Sequence, residues 1–157
     1  MDPIQGTVTG WPPALVDEYT ARRDALTRLA TGMLGSAAEA EEIVHDAFMA
    51  TAARWADVRE VRPYVRTAVV NRANGVHRRR RTAERHHVDA PPPGAPDQLV
   101  EFRDLLLGLP ERQRTVLVLR YLEDLADDDI AVTLGCRPAT VRSLAARGLA
   151  RIRSELR

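Results

Sequence analysis

The sequence has little cysteine and few aromatic residues, and it contains no lysine. Its 157 residues include one cysteine, Cys136, so no disulfide can form within the chain. Aromatic residues make up 4% of the chain, whereas its 45% hydrophobic content is normal for a globular protein. Because Ala, Leu and Val dominate that hydrophobic fraction, the composition favours helix over sheet. The sequence therefore predicts an all-α fold.

Long hydrophobic runs are absent as well. Arg, Asp or Glu interrupts every apolar stretch before it reaches the ~20 residues that a membrane helix needs. The first residues also lack the basic, apolar and small-residue succession of a secretory signal. Together with the single cysteine, these features predict a cytoplasmic protein with no membrane insertion.

The net charge of +1 hides an uneven distribution of arginine, which supplies all 23 basic residues. Residues 59–87 contain nine arginines and two glutamates, and residues 137–157 contain six arginines and one glutamate. Two basic segments separated along one chain predict two contacts with a polyanion such as nucleic acid. On charge alone, solvated helix faces remain an equal alternative.

Proline and glycine divide the chain into four parts. Residues 1–13 lack apolar periodicity and predict a flexible lead, and residues 14–81 form a first helical domain. Four prolines and a glycine lie between positions 91 and 96, which places a linker at 82–98 before a second domain at 99–157. A flexible coil of that length spans roughly 20–25 Å, so we expect the two domains to move relative to each other.

Helix signals in the first domain are local and specific. Gly35 ends a first helix, and Ser36 stands three residues before Glu39 in a capping-box pattern that opens the next. Pro63 suits the first turn of a third helix, which runs into the four arginines at 78–81. This third helix offers amides that suit base edges and guanidinium groups that suit phosphates. An ordinary polar helix surface is the alternative explanation for its asparagines.

The second domain contains the pattern of a helix-turn-helix. Residues 127–134 predict a short helix, Gly135 ends it, and Pro138 begins a longer helix that carries arginines. The second helix of such a motif enters the major groove, so its exposed side chains must reach bases and phosphates. The alternative is a helical hairpin with solvated arginines, which the specific turn at Gly135 and Pro138 makes the weaker interpretation.

Four segments in the same order resemble the extracytoplasmic-function group of the sigma-70 family, with its SigE-like subgroup as the nearest candidate. Residues 40–48 are similar to the polymerase-binding helix of that family, with His45 where Gln is usual. Residues 62–73 resemble its promoter-melting segment, and residues 109–114 and 135–143 resemble the opening and the helix-turn-helix of its second domain. The resemblance covers nearly the whole chain and implies the minimal two-domain form.

The resemblance implies a sigma factor, which has no catalytic site, metal or cofactor and directs RNA polymerase to promoters. The implied partners are core polymerase, through its clamp helices and flap, promoter DNA, and an anti-sigma factor as a further candidate. A free chain is expected to be a monomer. The first domain would melt the minus-10 element, and the second would read the minus-35 element as duplex.

Three residue sets follow from this assignment. Polymerase binding is expected at Glu42, His45, Asp46 and Phe48. Contacts to the minus-10 element are expected at Arg66, Asn71, Arg72, Asn74, Arg78, Arg79 and Arg80, with Asn71 at the position that captures a flipped base. Contacts to the minus-35 element are expected at Arg137, Thr140, Arg142, Ser143 and Arg147.

Departures from the family pattern and other classes of protein both bear on this hypothesis. Ala126 stands where the family often has a Ser that caps the helix, and Arg137 stands where a small polar residue is common. Leu144 stands where a basic residue is frequent, so fewer DNA contacts are expected from this helix. The alternative function is a helix-turn-helix regulator that binds DNA without polymerase. Cys136 has no partner histidine by spacing, and the histidines do not complete a set of four zinc ligands.

Overall fold

A computed structural model describes residues 10–83 and 97–157, and within these ranges the chain forms seven α-helices and no strand. The predicted all-α fold is confirmed. The helices are α1 (Pro13–Leu34), α2 (Ala37–Ala53), α3 (Val61–Ala83), α4 (Asp97–Leu107), α5 (Glu111–Tyr121), α6 (Asp127–Leu134) and α7 (Pro138–Glu155). One 3-10 turn at Trp55–Asp57 lies between α2 and α3.

Local sequence signals explain where the first helices end and begin. Gly35 adopts φ 79°, a left-handed conformation, and its N–H donates to the Thr31 carbonyl at 2.7 Å. Ser36 then caps α2, because its hydroxyl accepts a hydrogen bond from the Glu39 N–H at 3.2 Å. The two helices are therefore joined by a connection of two residues.

Helices α1, α2 and α3 pack on one another as the first bundle. The scarce aromatic residues concentrate at one point of its core, where Tyr19 meets Phe48 edge-on at 5.0 Å between ring centroids. Trp11 stacks on Phe48 at 6.0 Å and meets Tyr19 edge-on at 5.6 Å. These three rings hold the start of α1 against the middle of α2.

The second bundle is formed by α5, α6 and α7, with α4 against α7. Leu119, Ile130 and Val141 are fully buried between these helices. Gly148 brings α7 close to α5, since a Cβ at that position would lie 3.0 Å from Leu117 Cδ1. A compact helix-turn-helix unit results.

Both ends of the predicted linker at 82–98 fall within helices, because α3 continues to Ala83 and α4 begins at Asp97. Residues 84–96 lie outside the described residues, as do 1–9 of the predicted lead. In the described part of the chain the two bundles touch: α1 contacts α4 and α5, and α3 contacts α6. None of the helices in that part is long and apolar enough to cross a membrane.

Gly135 supports the turn between α6 and α7 through a backbone conformation that other residues avoid. Its φ of 66° lies in the left-handed region, and a Cβ added there would have no atom within 4 Å, so only backbone strain opposes a side chain. We expect Gly135→Ala to lower the free energy of unfolding by about 1–2 kcal/mol. Urea denaturation followed by circular dichroism measures this change.

Gly75→Ala is the matched control, because Gly75 lies inside α3 and its added Cβ would meet only arginine side-chain nitrogens at 3.6 and 3.7 Å. We expect that substitution to raise stability by roughly 0.5–1 kcal/mol. Equal effects of the two substitutions would contradict the role given to the turn.

Candidate nucleic-acid interface

The backbone conformation of the turn before α7 sets the direction in which that helix begins. Gly135 is left-handed, and the Cys136 N–H donates to the Ala131 carbonyl at 3.0 Å. Arg137 then precedes Pro138 at the first position of α7 and makes no side-chain capping bond. Because proline has its φ fixed near helical values, the start of α7 is set without a side-chain cap.

Helix α7 separates a buried face from an exposed one. Val141, Leu144 and Ala145 lie in the core with at most 6% of their surface exposed. The predicted duplex-contacting residues lie outside this core: Arg137, just before α7, is exposed, as are Arg142, Ser143 and Arg147, and Thr140 is half-buried. The structure thus brings the five residues predicted at this site together at the first turns of one helix.

One pair on this face is linked within the helix. Arg147 donates from Nη2 to the Ser143 hydroxyl at 3.2 Å and from Nε to the Ser143 carbonyl at 3.4 Å. Both residues are exposed, so the guanidinium group is oriented along the helix and still open to solvent. It is therefore accessible to a phosphate or a base edge.

Two departures noted in the sequence have structural explanations. Leu144 faces the core. A basic side chain at this position would therefore be buried, at a cost in stability, and would not lie on the exposed surface of α7. Ala126 precedes α6 without a side-chain cap, and Asp127, Asp128 and Asp129 fill the first turn instead. Carboxylates there interact favourably with the helix dipole.

A second surface is a cavity of about 850 Å³ at the junction of α2, α3 and the turn between them. Asn71 and Arg72 line one side of it, and Tyr64 lines it from two turns earlier on the same helix. The remaining lining residues come from the end of α2, the turn and the first half of α3: Ala50, Thr51, Arg54, Asp57, Arg59, Glu60, Pro63, Thr67 and Ala68. The cavity is therefore lined by an exposed amide, an aromatic ring, guanidinium groups and carboxylates. This combination of groups suits a planar polar ligand.

The other residues predicted for single-strand contact are distributed differently. Arg78 and Arg79 are exposed on α3, whereas Asn74 is half-buried with its Oδ1 lacking a hydrogen-bond partner among the described residues. Arg80 is paired with Glu39 and donates from Nη1 to the Leu34 carbonyl at 3.0 Å. Arg80 therefore ties α3 to the end of α1 in this structure.

Arg66 is the most enclosed member of that set, with 9% of its surface exposed. Burial lowers the pKa of Arg66, while the negative charges of Glu123 and Asp129 act in the opposite direction. An arginine pKa starts so high that the guanidinium stays protonated at physiological pH. Arg66 is thus a buried cation whose charge is favoured by the negative charges of Glu123 and Asp129.

The residues predicted to bind polymerase lie on different faces of α2. Glu42 and Asp46 are exposed and one turn apart, and they line a cavity of about 390 Å³ together with Arg79 and Arg80 of α3. His45 is half-buried, and it lines a separate cavity together with Tyr19 of α1. Phe48 is fully buried in the aromatic cluster and so supports α2 from inside.

Sequence reasoning missed the turn at 54–60 as part of the cavity. The sequence does carry a signal for it. A short polar segment with Arg54, Asp57 and Arg59 separates two apolar stripes and directly precedes the helix that contains Asn71. Among the described residues, no group of three or more His, Cys, Asp or Glu side chains is placed to hold a metal ion.

Comparison with known proteins identifies relatives over most of the chain. Residues 99–152 match the family model described as sigma-70, region 4. The chain is 31% identical over 150 residues to an RNA polymerase sigma-E factor of Streptomyces avermitilis, in an alignment that covers 89% of this chain and 84% of the relative.

Two solved structures have a similar fold. The sigma factor RpoE of Bartonella quintana, in complex with the anti-sigma factor NepR, aligns with a TM-score of 0.77 and 21% identity over 89% of this chain and 94% of its own. CnrH, in complex with the cytosolic domain of CnrY, aligns with a TM-score of 0.74 and 20% identity over 98% and 94%. At these identities the likeness concerns the arrangement of the helices.

The buried position of Leu144 leads to a test of which side of α7 faces DNA. We expect Leu144→Arg to lower the free energy of unfolding by about 2–5 kcal/mol, as for other losses of a buried leucine, and to give no gain in affinity for duplex DNA. Urea denaturation and fluorescence anisotropy with a duplex oligonucleotide measure the two effects. Ala146→Arg, at an exposed position of the same helix, should leave stability unchanged. A stable Leu144→Arg protein with tighter duplex binding would mean that this side of α7 meets DNA.

Proposed function

The chain belongs to the sigma-70 family of RNA polymerase sigma factors, within its extracytoplasmic-function group, and we propose how its surfaces divide the work of that function. The protein directs core polymerase to promoters, with α7 reading the minus-35 element and the first bundle melting the minus-10 element. The family consists of non-catalytic initiation factors, so polymerase supplies the chemistry. The domain limits we propose are 14–81 and 99–157, joined through 82–98.

The cavity beside Asn71 is the observation that carries the melting role. Extruding a base from duplex DNA costs a few kcal/mol, which a receiving pocket must offset by stacking and hydrogen bonding. Asn71 is exposed at the cavity wall, where its amide can both donate and accept, and Tyr64 offers an aromatic face. We assign the flipped base of the minus-10 element to this cavity and the flanking phosphates to Arg72, Arg78 and Arg79.

The exposed face of α7 supports the duplex-reading role. Arg137 just before α7, and Arg142 and Arg147 within its first three turns, offer three exposed guanidinium groups. Thr140 and Ser143 add hydroxyl groups between them. A helix of this kind fits the major groove, where arginine can bind guanine through two hydrogen bonds.

Polymerase binding is assigned to the acidic face of α2. Glu42 and Asp46 are exposed one turn apart, and a negative helix face is complementary to a basic partner surface. His45 lies beside this face, whereas Phe48 contributes by holding α2 in place. We propose the clamp helices of core polymerase as the partner here and the flap as the partner of the second bundle.

Other partners are proposed from the relatives. Both similar structures were solved as complexes, one with the anti-sigma factor NepR and one with the cytosolic domain of CnrY. We propose an anti-sigma factor as a regulator of this chain too, and the cytoplasm as its place of action, where polymerase and chromosome are found.

The role of Asn71 is tested by promoter opening. We expect Asn71→Ala to leave binding to core polymerase unchanged and to slow opening, because the variant loses the amide that would receive the flipped base. Promoters are first selected from a library by run-off transcription with core polymerase. Permanganate reactivity of the melted region then reports opening, and normal reactivity in the variant would contradict the assignment.

The role of Arg142 is tested by footprinting of the holoenzyme. We expect Arg142→Ala to weaken discrimination between base pairs at the upstream duplex element by about 1–3 kcal/mol, which is the contribution of one bidentate arginine–guanine contact. Arg151→Ala is the matched control, since Arg151 is exposed on the same helix more than two turns farther from the reading end. An unchanged upstream footprint in Arg142→Ala, or an equal loss in Arg151→Ala, would contradict the assignment. A footprint by the chain without polymerase would favour the independent regulator.

A further inference from the structure

The exposed Arg147 side chain is held by a residue one turn earlier on the same helix. Its Nε donates to the Ser143 carbonyl at 3.4 Å, and its Nη2 donates to the Ser143 hydroxyl at 3.2 Å. Two donors on neighbouring nitrogens of one guanidinium group therefore meet two acceptors of one serine. Because a planar group bound at two points cannot swing about either bond alone, Ser143 sets both the position and the orientation of the guanidinium.

These hydrogen bonds bring the guanidinium group toward the reading end of α7. Side chains on a helix lean toward its N-terminus, where they meet the residue four positions earlier. Arg147 lies in the third turn of α7, whereas Ser143 lies in the second. The guanidinium group is thus drawn back along the helix axis by up to about 6 Å, the rise of four residues. It lies among the first turns, which are the part of a recognition helix that enters the major groove.

One edge of the guanidinium group stays available for DNA. An arginine side chain has five N–H donors, and the contacts with Ser143 use one on Nε and one on Nη2. The remaining donors include a neighbouring pair on Nη1 and Nη2. Such a pair fits the O6 and N7 acceptors of guanine in the major groove through two hydrogen bonds. Ser143 therefore occupies one edge and leaves another for a base.

Ser143 orients this arginine without neutralising it. Arg80, by contrast, is paired with the carboxylate of Glu39, and a carboxylate competes with DNA for the positive charge. The hydroxyl and carbonyl groups of Ser143 are neutral, so the charge of Arg147 remains available to the anionic duplex. Ser143 and Arg147 are both exposed, so no core contact has to break when DNA approaches them.

We propose that Ser143 is a positioning residue and that it forms one reading unit with Arg147, which selects a G·C pair in the upstream duplex element. The inference rests on the proposed role of α7 in reading that element. Ser143 acts through Arg147, by ordering the guanidinium group before DNA arrives, and makes no base contact of its own. DNA binding then does not have to order a long flexible side chain, and this saving corresponds to roughly two- to tenfold in affinity.

The reading unit is tested by the base preferences of the holoenzyme. The full-length chain is assembled with core polymerase and mixed with duplex promoter fragments in which the upstream element is randomised. Sequencing of the bound and the input fragments gives the preference for each base pair at each position. We expect the wild-type chain to prefer G·C by about tenfold or more at one position that Arg147→Ala no longer discriminates, with the other positions unchanged.

Substitutions of Ser143 should act at that same position. Ser143→Ala should lower the preference there by roughly two- to tenfold and leave the other positions unchanged, because only the ordering of Arg147 is lost. Ser143→Thr keeps the hydroxyl group and should retain the preference. Arg147→Lys keeps the positive charge but cannot form the two-point contact with guanine, so it should lose the preference and keep most of the overall affinity.

A double variant decides whether Ser143 acts through Arg147. We expect Ser143→Ala combined with Arg147→Ala to have the same base preferences as Arg147→Ala alone, since no guanidinium group is left to position. A serine that itself contacted a base would instead add a second loss in the double variant. That second loss, or an undiminished preference in Ser143→Ala, would overturn the proposal.

Ser154→Ala is the matched control, because Ser154 is an exposed serine three turns farther along the same helix. It makes the same change in helix propensity as Ser143→Ala and should leave every base preference unchanged. Urea denaturation followed by circular dichroism should give equal stabilities for the two variants. A loss of preference at every position in Ser143→Ala would indicate a disturbed helix and would also overturn the positioning role.

Failure of the proposed function would look different. The wild-type holoenzyme would then support no promoter-dependent transcription, or it would bind the randomised fragments without preference at any position. Where the wild-type chain shows both transcription and base preferences, the comparison of the single and double variants tests the inference alone.

Discussion

Helix α1 is buried on two sides, and the arrangement of the whole chain depends on that burial. One side completes the core of the first bundle with α2 and α3, and the other receives α4 and α5 of the second. The end of α1 exposes carbonyls that Arg80, Arg103 and Arg114 satisfy from both bundles. Since buried carbonyls must find partners, this end of α1 acts as the joint of the molecule.

Arginine has a different task at each place where it occurs. On α7 its side chains are exposed and able to meet DNA, and at the end of α3 they are divided between exposed Arg78 and Arg79 and the paired Arg80. At the interface of the bundles, Arg22 and Arg114 satisfy a carboxylate and carbonyls. A nearly neutral chain can therefore carry the two proposed polyanion-binding surfaces and still pack as one body.

Apolar periodicity and single turn residues were enough to predict the helices and the helix-turn-helix. Ser36, Gly35 and Gly135 act through neighbours in sequence, so their patterns are visible in the chain itself. Contacts between distant segments left no such pattern: Arg114 and Met33 are 81 residues apart. The cavity beside Asn71 likewise depends on how α2, α3 and the turn between them meet, which periodicity alone does not define.

Hydrogen exchange followed by mass spectrometry, on the free chain and on the chain bound to core polymerase, tests this account most directly. Amides on α2 near Glu42 and Asp46 should exchange more slowly in the complex, because polymerase covers that face. Unchanged exchange there in a complex that has formed would contradict the assignment of polymerase docking to the first bundle.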